Sequence, residues 1–319
     1  MLSENTLTDA GMPPLFEQSD PSAIHAQAWF FSLLGFELIL VTLGTLVGLL
    51  SGIVVPAPAI SVSPITLAGN TFTSVPIIEL TAGGLIFIAL VFRLIRFFGH
   101  FDSKWYEARA VAESVKSVAW RYAVGGRPFE RSKDPRVVDA LAEARIGEIL
   151  TDVGKKWQPG ASMQQITDSM RRLRSQPHDV RRAAYRAGRI ADQRKWYARK
   201  QAQNHGRALV ANWVLAILEF LGVAFAVLQT LGIVSLNLQT LAAALVSGGI
   251  AWTQAQRYQD LSASYSVTAK EAASIEQAPQ LRDQVTEDAW AAFVDSAEEA
   301  FSREHRLWRA AREQWPPTQ

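Results

Sequence analysis

The 319-residue chain contains no cysteine, which excludes disulfides, thiolate metal sites and cysteine nucleophiles. Residues 1–92 hold no lysine or arginine, against six acids. A cleavable secretory signal is therefore not expected: the start lacks a basic region, and the first apolar run is too long and begins too late. The five histidines, His25, His100, His178, His205 and His305, are scattered, with no HExxH motif and no paired-ligand spacing. No GxSxG elbow and no phosphate-cradling glycine loop occurs. Without a nucleophile, a metal set or a nucleotide loop, the chain is not expected to be an enzyme or to carry a cofactor.

What is present is apolar length and an uneven distribution of charge. Residues 93–207 hold 25 basic against 12 acidic side chains, and residues 208–319 hold 7 against 12. Four stretches, 29–50, 75–98, 209–231 and 233–252, are long enough as helices to cross a hydrocarbon core of about 30 Å. The last is the least hydrophobic and includes Asn237 and Gln239. The segment between the first two stretches has no lysine or arginine, and the basic block lies between the two pairs. The positive-inside rule then puts both short turns outside, and the termini and central region in the cytoplasm. The expected fold is an all-α membrane protein with four transmembrane helices as two hairpins carrying long cytoplasmic helical extensions.

The punctuation suggests five parts. Residues 1–28 read as a polar N-terminal segment, loose over 1–24, 29–126 as a two-span unit with a cytoplasmic helix, and 127–177 as a cytoplasmic connector. Residues 178–278 read as a second two-span unit with entry and exit helices, and 279–319 as a C-terminal amphipathic helix. Within the connector, Asp134 followed by Pro135 predicts a helix start, Pro159-Gly160 a break, and Ser162 with Gln165 a capping box. The helix from 178 is expected to run straight into the third span. WYEARAVAESV (105–115) echoes YSVTAKEAASI (265–275) at an offset of 160, which suggests an internal duplication.

Two carboxylates fall inside the spans. Gly44 and Gly48 lie within about 20° of Glu37 on a helix, and Gly52 a little further round. Gly222 and Ala226 lie near Glu219. Both acids are expected to face protein or a water-filled cavity. Three readings stay open for each: an acidic group lining a cation path, an interhelical hydrogen-bonding group, and an interfacial side chain. The pairs Trp105-Tyr106 and Trp196-Tyr197, with Asp192 nearby, read as cytoplasmic packing, beside the reading of an aromatic belt at the membrane surface. In the arginine-rich stretch, Arg181, Arg182, Arg186 and Arg189 are candidates for anionic lipid headgroups, beside the plainer reading of a solvated, topology-fixing face. Nucleic acid is not an expected partner.

RIADQRKWYARKQAQN (189–204), WYEARAVAESVKSVAWRY (105–122) and SREHRLW (302–308) together resemble the bacterial SLATT family, the SMODS and SLOG-associating two-transmembrane effectors, with two such units in tandem. The resemblance implies a pore-forming or membrane-permeabilising effector of a bacterial conflict or antiphage defence system in the inner membrane. It also implies gating by a nucleotide second messenger or a cytoplasmic sensor protein, with the WY pairs transmitting the signal. A conducting path would need a homo-oligomer. Two other readings remain, a membrane scaffold that recruits cytoplasmic partners and a secondary transporter.

Overall fold

A computed structural model describes residues 7–51, 59–67, 70–152 and 164–313. The chain is mostly helical and divides into two compact units. One comprises Met1–Gln27, Asp102–Gln203 and Asp260–Gln319, and the other Ala28–Phe101 and Asn204–Gln259. In chain order the elements are α1 (Pro14–Leu50), β1 (Ala59–Leu67), β2 (Asn70–Pro76), α2 (Ile77–Gly99) and α3 (Phe101–Val124). They are followed by α4 (Pro135–Asp152), α5 (Asp168–Ser175), α6 (His178–Tyr185), a π-helical turn at Arg186–Ile190 and α7 (Ala191–Thr230). The chain continues through α8 (Leu238–Gln256), α9 (Tyr258–Glu276) and α10 (Glu287–Glu313).

Among the described residues, three stretches are long and apolar enough to cross a membrane: Pro14–Leu50, Ile77–Val124 and His178–Thr230, with mean hydropathy of 2.1–2.2 in their most apolar windows. The fourth expected span, now α8, is not among them, because Gln, Thr, Ser and Gly dilute its alanines and leucines. In the apolar unit α2 runs back along α1. Phe36 stacks on Phe92 at 5.7 Å, and a Cβ on Gly44 would meet Ile86 at 2.9 Å, so only glycine allows that approach. Likewise α8 runs back along α7, with Gly222 against Ala242 and Gly249 against Leu215. Large apolar side chains such as Phe98, Trp213 and Phe220 point outward, as lipid-facing residues do.

The expectation of an all-α chain needs one amendment. The basic-free segment after α1 holds an antiparallel ribbon, β1 with β2, paired from Ala59↔Pro76 to Leu67↔Asn70. Its alternating Ser, Val, Thr and Ile favour extended backbone. The ladder is irregular between Ser61 and Ile65, where Pro64 has no N–H to contribute.

The helical unit is built around α3. Val111, Ala112, Val115, Ala119, Trp120, Ala123 and Val124 are fully buried, so a helix that looks half polar in sequence is wrapped on all sides. Residues 7–24, within the stretch expected to be loose, are largely helical. Helix α1 already begins at Pro14, and Leu7, Met12, Leu15 and Phe16 join the core. The Thr167 hydroxyl donates to Gly11 O at 2.7 Å, and Leu15 N donates to the Gln165 side chain at 3.0 Å.

Helix α4 starts at Pro135, with the Asp134 carboxylate accepting from Arg136 N at 2.8 Å. Ser162 and the Pro159-Gly160 break lie outside the described residues, and the next helix is capped instead by Thr167, which accepts from Met170 N. The last helix begins at Glu287, after a 3₁₀ turn at Pro279–Leu281.

One device occurs twice. Helix α2 ends on His100 (φ 48°) before α3, and α8 ends on Arg257 (φ 51°) before α9. A left-handed residue in each place breaks the helix and restarts it at once.

Candidate functional site

At the end of α3 the last carbonyls have no helical partners, and the macrodipole leaves them partially negative. Three side chains from elsewhere in the helical unit meet them. Arg174 donates to Tyr122 O (2.9 Å), Phe129 O (2.7 Å) and Glu130 O (3.1 Å). Arg181, 1% exposed, donates to Val124 O at 2.6 Å and pairs with Glu287. The Trp290 indole donates to the same Val124 O at 2.9 Å. Gly125 turns the chain away at φ +77°, and a Cβ on Gly126 would strike Val294 at 2.5 Å. Burial lowers the pKa of both Arg174 and Arg181 from the ordinary value, yet carbonyl oxygens and Glu287 satisfy their donors.

One helical step further is a buried ion pair. Arg189, in the π turn, donates from Nε to Glu298 Oε1 at 3.0 Å and from Nη2 to Oε2 at 2.8 Å. The Tyr185 hydroxyl donates to Glu298 Oε1 at 2.9 Å. Glu298 is 0% exposed, so its charge depends on these partners. Burial works against the Arg189 charge, and the Glu298 carboxylate more than offsets it, raising the guanidinium pKa. Burial first, then the Glu298 charge, pushes the Tyr185 phenol well above its usual range. The Tyr185 ring packs between Trp120 and Trp290, each 5.9 Å away. A π turn adds one residue to a helical ladder and recurs at functional positions. Here it lies between α6 and α7, in a helical run that continues to Thr230.

These positions correct the headgroup expectation. Arg181 and Arg189 are interior ion-pair and capping residues and cannot reach lipid. Arg182 is half-buried and donates to Asp283 O, while Arg186 is exposed. Sequence reasoning passed over Glu298, Tyr185 and Arg174. The one sequence signal was that Glu298 shares a helix face with Trp290, Val294 and Phe301.

Both WY pairs lie in the helical unit. Trp105 stacks on its own neighbour Tyr106 at 4.6 Å. Trp196 and the buried Tyr197 pack on Tyr265 at 5.5 and 5.8 Å. Arg109 and Lys200 lie over the Trp196 ring at 6.0 and 5.8 Å, and Arg109 is tied to Asp20 and Glu113. Asp192 is exposed in the first turn of α7.

The two intramembrane acids differ sharply. Glu37 is buried and pairs with Arg96 at 2.7 Å and, more distantly, with Arg93 at 4.0 Å. Arg96 also lies 5.5 Å from the Phe30 ring centroid. Gly44 and Gly48 face α2, with Ala82 and Ile86 opposite. Glu37 thus neutralises an arginine inside the apolar unit. Glu219 is exposed on α7 and makes no hydrogen bond or ion pair among the described residues. Gly222, a little round the helix from Glu219, is the residue against α8. Among the described residues no group of three or more His, Asp or Glu is placed to hold a metal.

No curated protein and no solved structure matches the chain. Two family models do. Residues 13–182 match SMODS and SLOG-associating 2TM effector domain 3, and residues 185–308 match SMODS and SLOG-associating 2TM effector domain 1. The boundary between the matches falls within α6, just before the π turn, and each half contains a helix, its left-handed terminal residue and a following helix. The chain belongs to the SLATT family of SMODS and SLOG-associating two-transmembrane effectors and carries two of its domains in tandem.

Proposed function

We propose that the protein is a pore-forming or membrane-permeabilising effector of a bacterial conflict or antiphage defence system, gated through its helical unit by a nucleotide signal or a sensor protein. One observation carries the reading. The helical run His178–Thr230 holds Arg189, buried against Glu298 of α10, near its start and, in its apolar part, Glu219, which has no partner among the described residues. A change at the pair is thereby covalently linked to a carboxylate at bilayer depth.

The π turn supplies a means of transmission. If it relaxed to α geometry without losing a residue, α7 would rotate by about 100° relative to α6. A ligand that engaged Arg189 or Glu298 would bias such a two-state element.

In this reading α8 is a fourth span. Its 19 residues reach roughly 28 Å, close to the hydrocarbon thickness, and it packs along α7. The protein then sits in the inner membrane as two hairpins, with both termini and the basic helical unit in the cytoplasm. Copies assemble around a path to which Glu219 contributes, and the protein acts without catalysis.

The test is ion flux from liposomes carrying the purified protein, compared with Glu298→Gln, which weakens the buried pair. Flux above that of empty vesicles is expected from wild type or, with a shut resting state, from the variant. No flux from either would contradict the reading.

A further inference from the structure

Helix α7 carries two rows of residues seven apart. One row, Leu215, Gly222 and Gln229, is in use: Leu215 meets Gly249, Gly222 meets Ala242, and the Gln229 side chain accepts from Gln239 on α8. The other row, roughly a quarter-turn round the helix, is His205, Asn212 and Glu219. All three are exposed, and none has a hydrogen bond or ion pair among the described residues. Asn212 and Glu219 lie among exposed apolar neighbours, Trp213 at 70%, Phe220 at 72% and Val223 at 65%. Two polar groups at membrane depth without partners are unfavourable.

The geometry points to a second copy of this chain, docked in parallel through the same face of α7, as the occupant of this row. This deepens the proposed function and rests on its placement of α7 across a membrane.

The argument is one of matched depth and self-complementarity. Successive members of the row are about 10.5 Å apart along the axis. A parallel copy presents the same chemistry at all three depths. The Asn212 amide both donates and accepts, so two copies satisfy each other. The two Glu219 side chains then meet at one depth inside the assembly rather than facing lipid. The two ring nitrogens of His205 can hydrogen-bond across the same seam. Ala216, between Asn212 and Glu219, is small enough for close approach of the backbones. A seven-residue repeat suits a left-handed pairing of straight helices, the same repeat that α7 already uses against α8. Each chain's seam is incomplete without the other copy, and pairing aligns the Glu219 side chains along one axis.

The absence of cysteine makes a disulfide scan direct. Single cysteines are placed at each position from 209 to 223 of the full chain in vesicles of bacterial lipid, then oxidised, and the dimer is quantified. Dimer is expected to peak at Ala216→Cys and Val223→Cys, with minima at Val210→Cys, Val214→Cys and Ile217→Cys. Adding Asn212→Leu to Ala216→Cys is expected to lower its dimer by roughly three- to tenfold, the effect of losing an interhelical hydrogen bond in a membrane. Ala216→Cys and Val223→Cys leave Asn212 and Glu219 in place, so a folding defect of the polar variants cannot produce or hide their peaks. A flat profile, or peaks on the 210–214–217 face, overturns the proposal. Ion flux without the periodic profile overturns this surface while leaving the permeability reading standing; the periodic profile without flux supports the surface and counts against that reading.

Discussion

At the residue scale, the Arg189–Glu298–Tyr185 cluster sets the stability of the helical unit. Removing one member of a buried ion pair leaves the other charge stranded, at a cost of about 3–5 kcal/mol, whereas replacing both with apolar groups is close to neutral. Arg189→Met is therefore expected to lower the thermal midpoint in detergent strongly, and Arg189→Met with Glu298→Leu to recover most of the loss. The same logic applies to Glu37 in the apolar unit. Glu37→Ala strands Arg96 and is expected to reduce the yield of membrane-inserted protein, and the exchange Glu37→Arg with Arg96→Glu to restore it.

His178 makes a pH prediction. Burial, its largest influence, depresses its pKa below the usual 6.5; the Glu287 charge raises it, Arg181 and Arg182 lower it, and Asp179 raises it. A histidine held below its unfolded value contributes stability that is present above the unfolded pKa and is lost as pH falls through the folded one. Unfolding midpoints should thus fall as pH drops below about 6.5, and His178→Gln should flatten that part of the curve.

At the element scale, the π turn at Arg186–Ile190 is the most informative feature. Deleting Ala187 removes the extra residue and leaves a plain α-helix with α6 and α7 in the register seen here, so the variant is expected to fold but to lose any rotation between them. The check is whether deletion of Ala187 abolishes the difference in flux between wild type and Glu298→Gln.

Helix positions were largely legible. Pro135 after Asp134 marks the start of α4, and the hydropathy of 29–50 and 209–231 marks the apolar parts of α1 and α7. The π turn was not legible, because its residues, RAGRI, have no composition that separates one extra residue from an ordinary helical turn. The ribbon β1–β2 was missed because its Ser/Thr/Val alternation is short and interrupted by Pro64. The Thr167 cap was missed because Ser162 with Gln165 fits a local pattern, while Thr167 is chosen by tertiary contact with Gly11.

At the scale of the whole molecule, sequence revealed the tandem organisation and the membrane character, since apolar length, charge asymmetry and motif are all local properties. It did not reveal how charge is spent. Arg181 and Arg189 look like surface charges because arginine is mostly exposed, and only the assembled fold supplies the α3 carbonyls and Glu298 that accept their protons. Glu37 and Glu219 look equivalent for the opposite reason: each is one acid in an apolar run. Their difference arises because Arg96 lies opposite one, and no described side chain lies opposite the other.

The central claim is that Glu219 borders a path for cations across the membrane. The measurement that tests it most directly is the reversal potential of reconstituted protein under a potassium chloride gradient, for wild type and Glu219→Gln. The account predicts cation preference in the wild type that falls toward none in the variant, with assembly unchanged. Identical selectivity in the two, measured in the Glu298→Gln background if the wild type is shut at rest, or no conductance from any of these proteins, would contradict it.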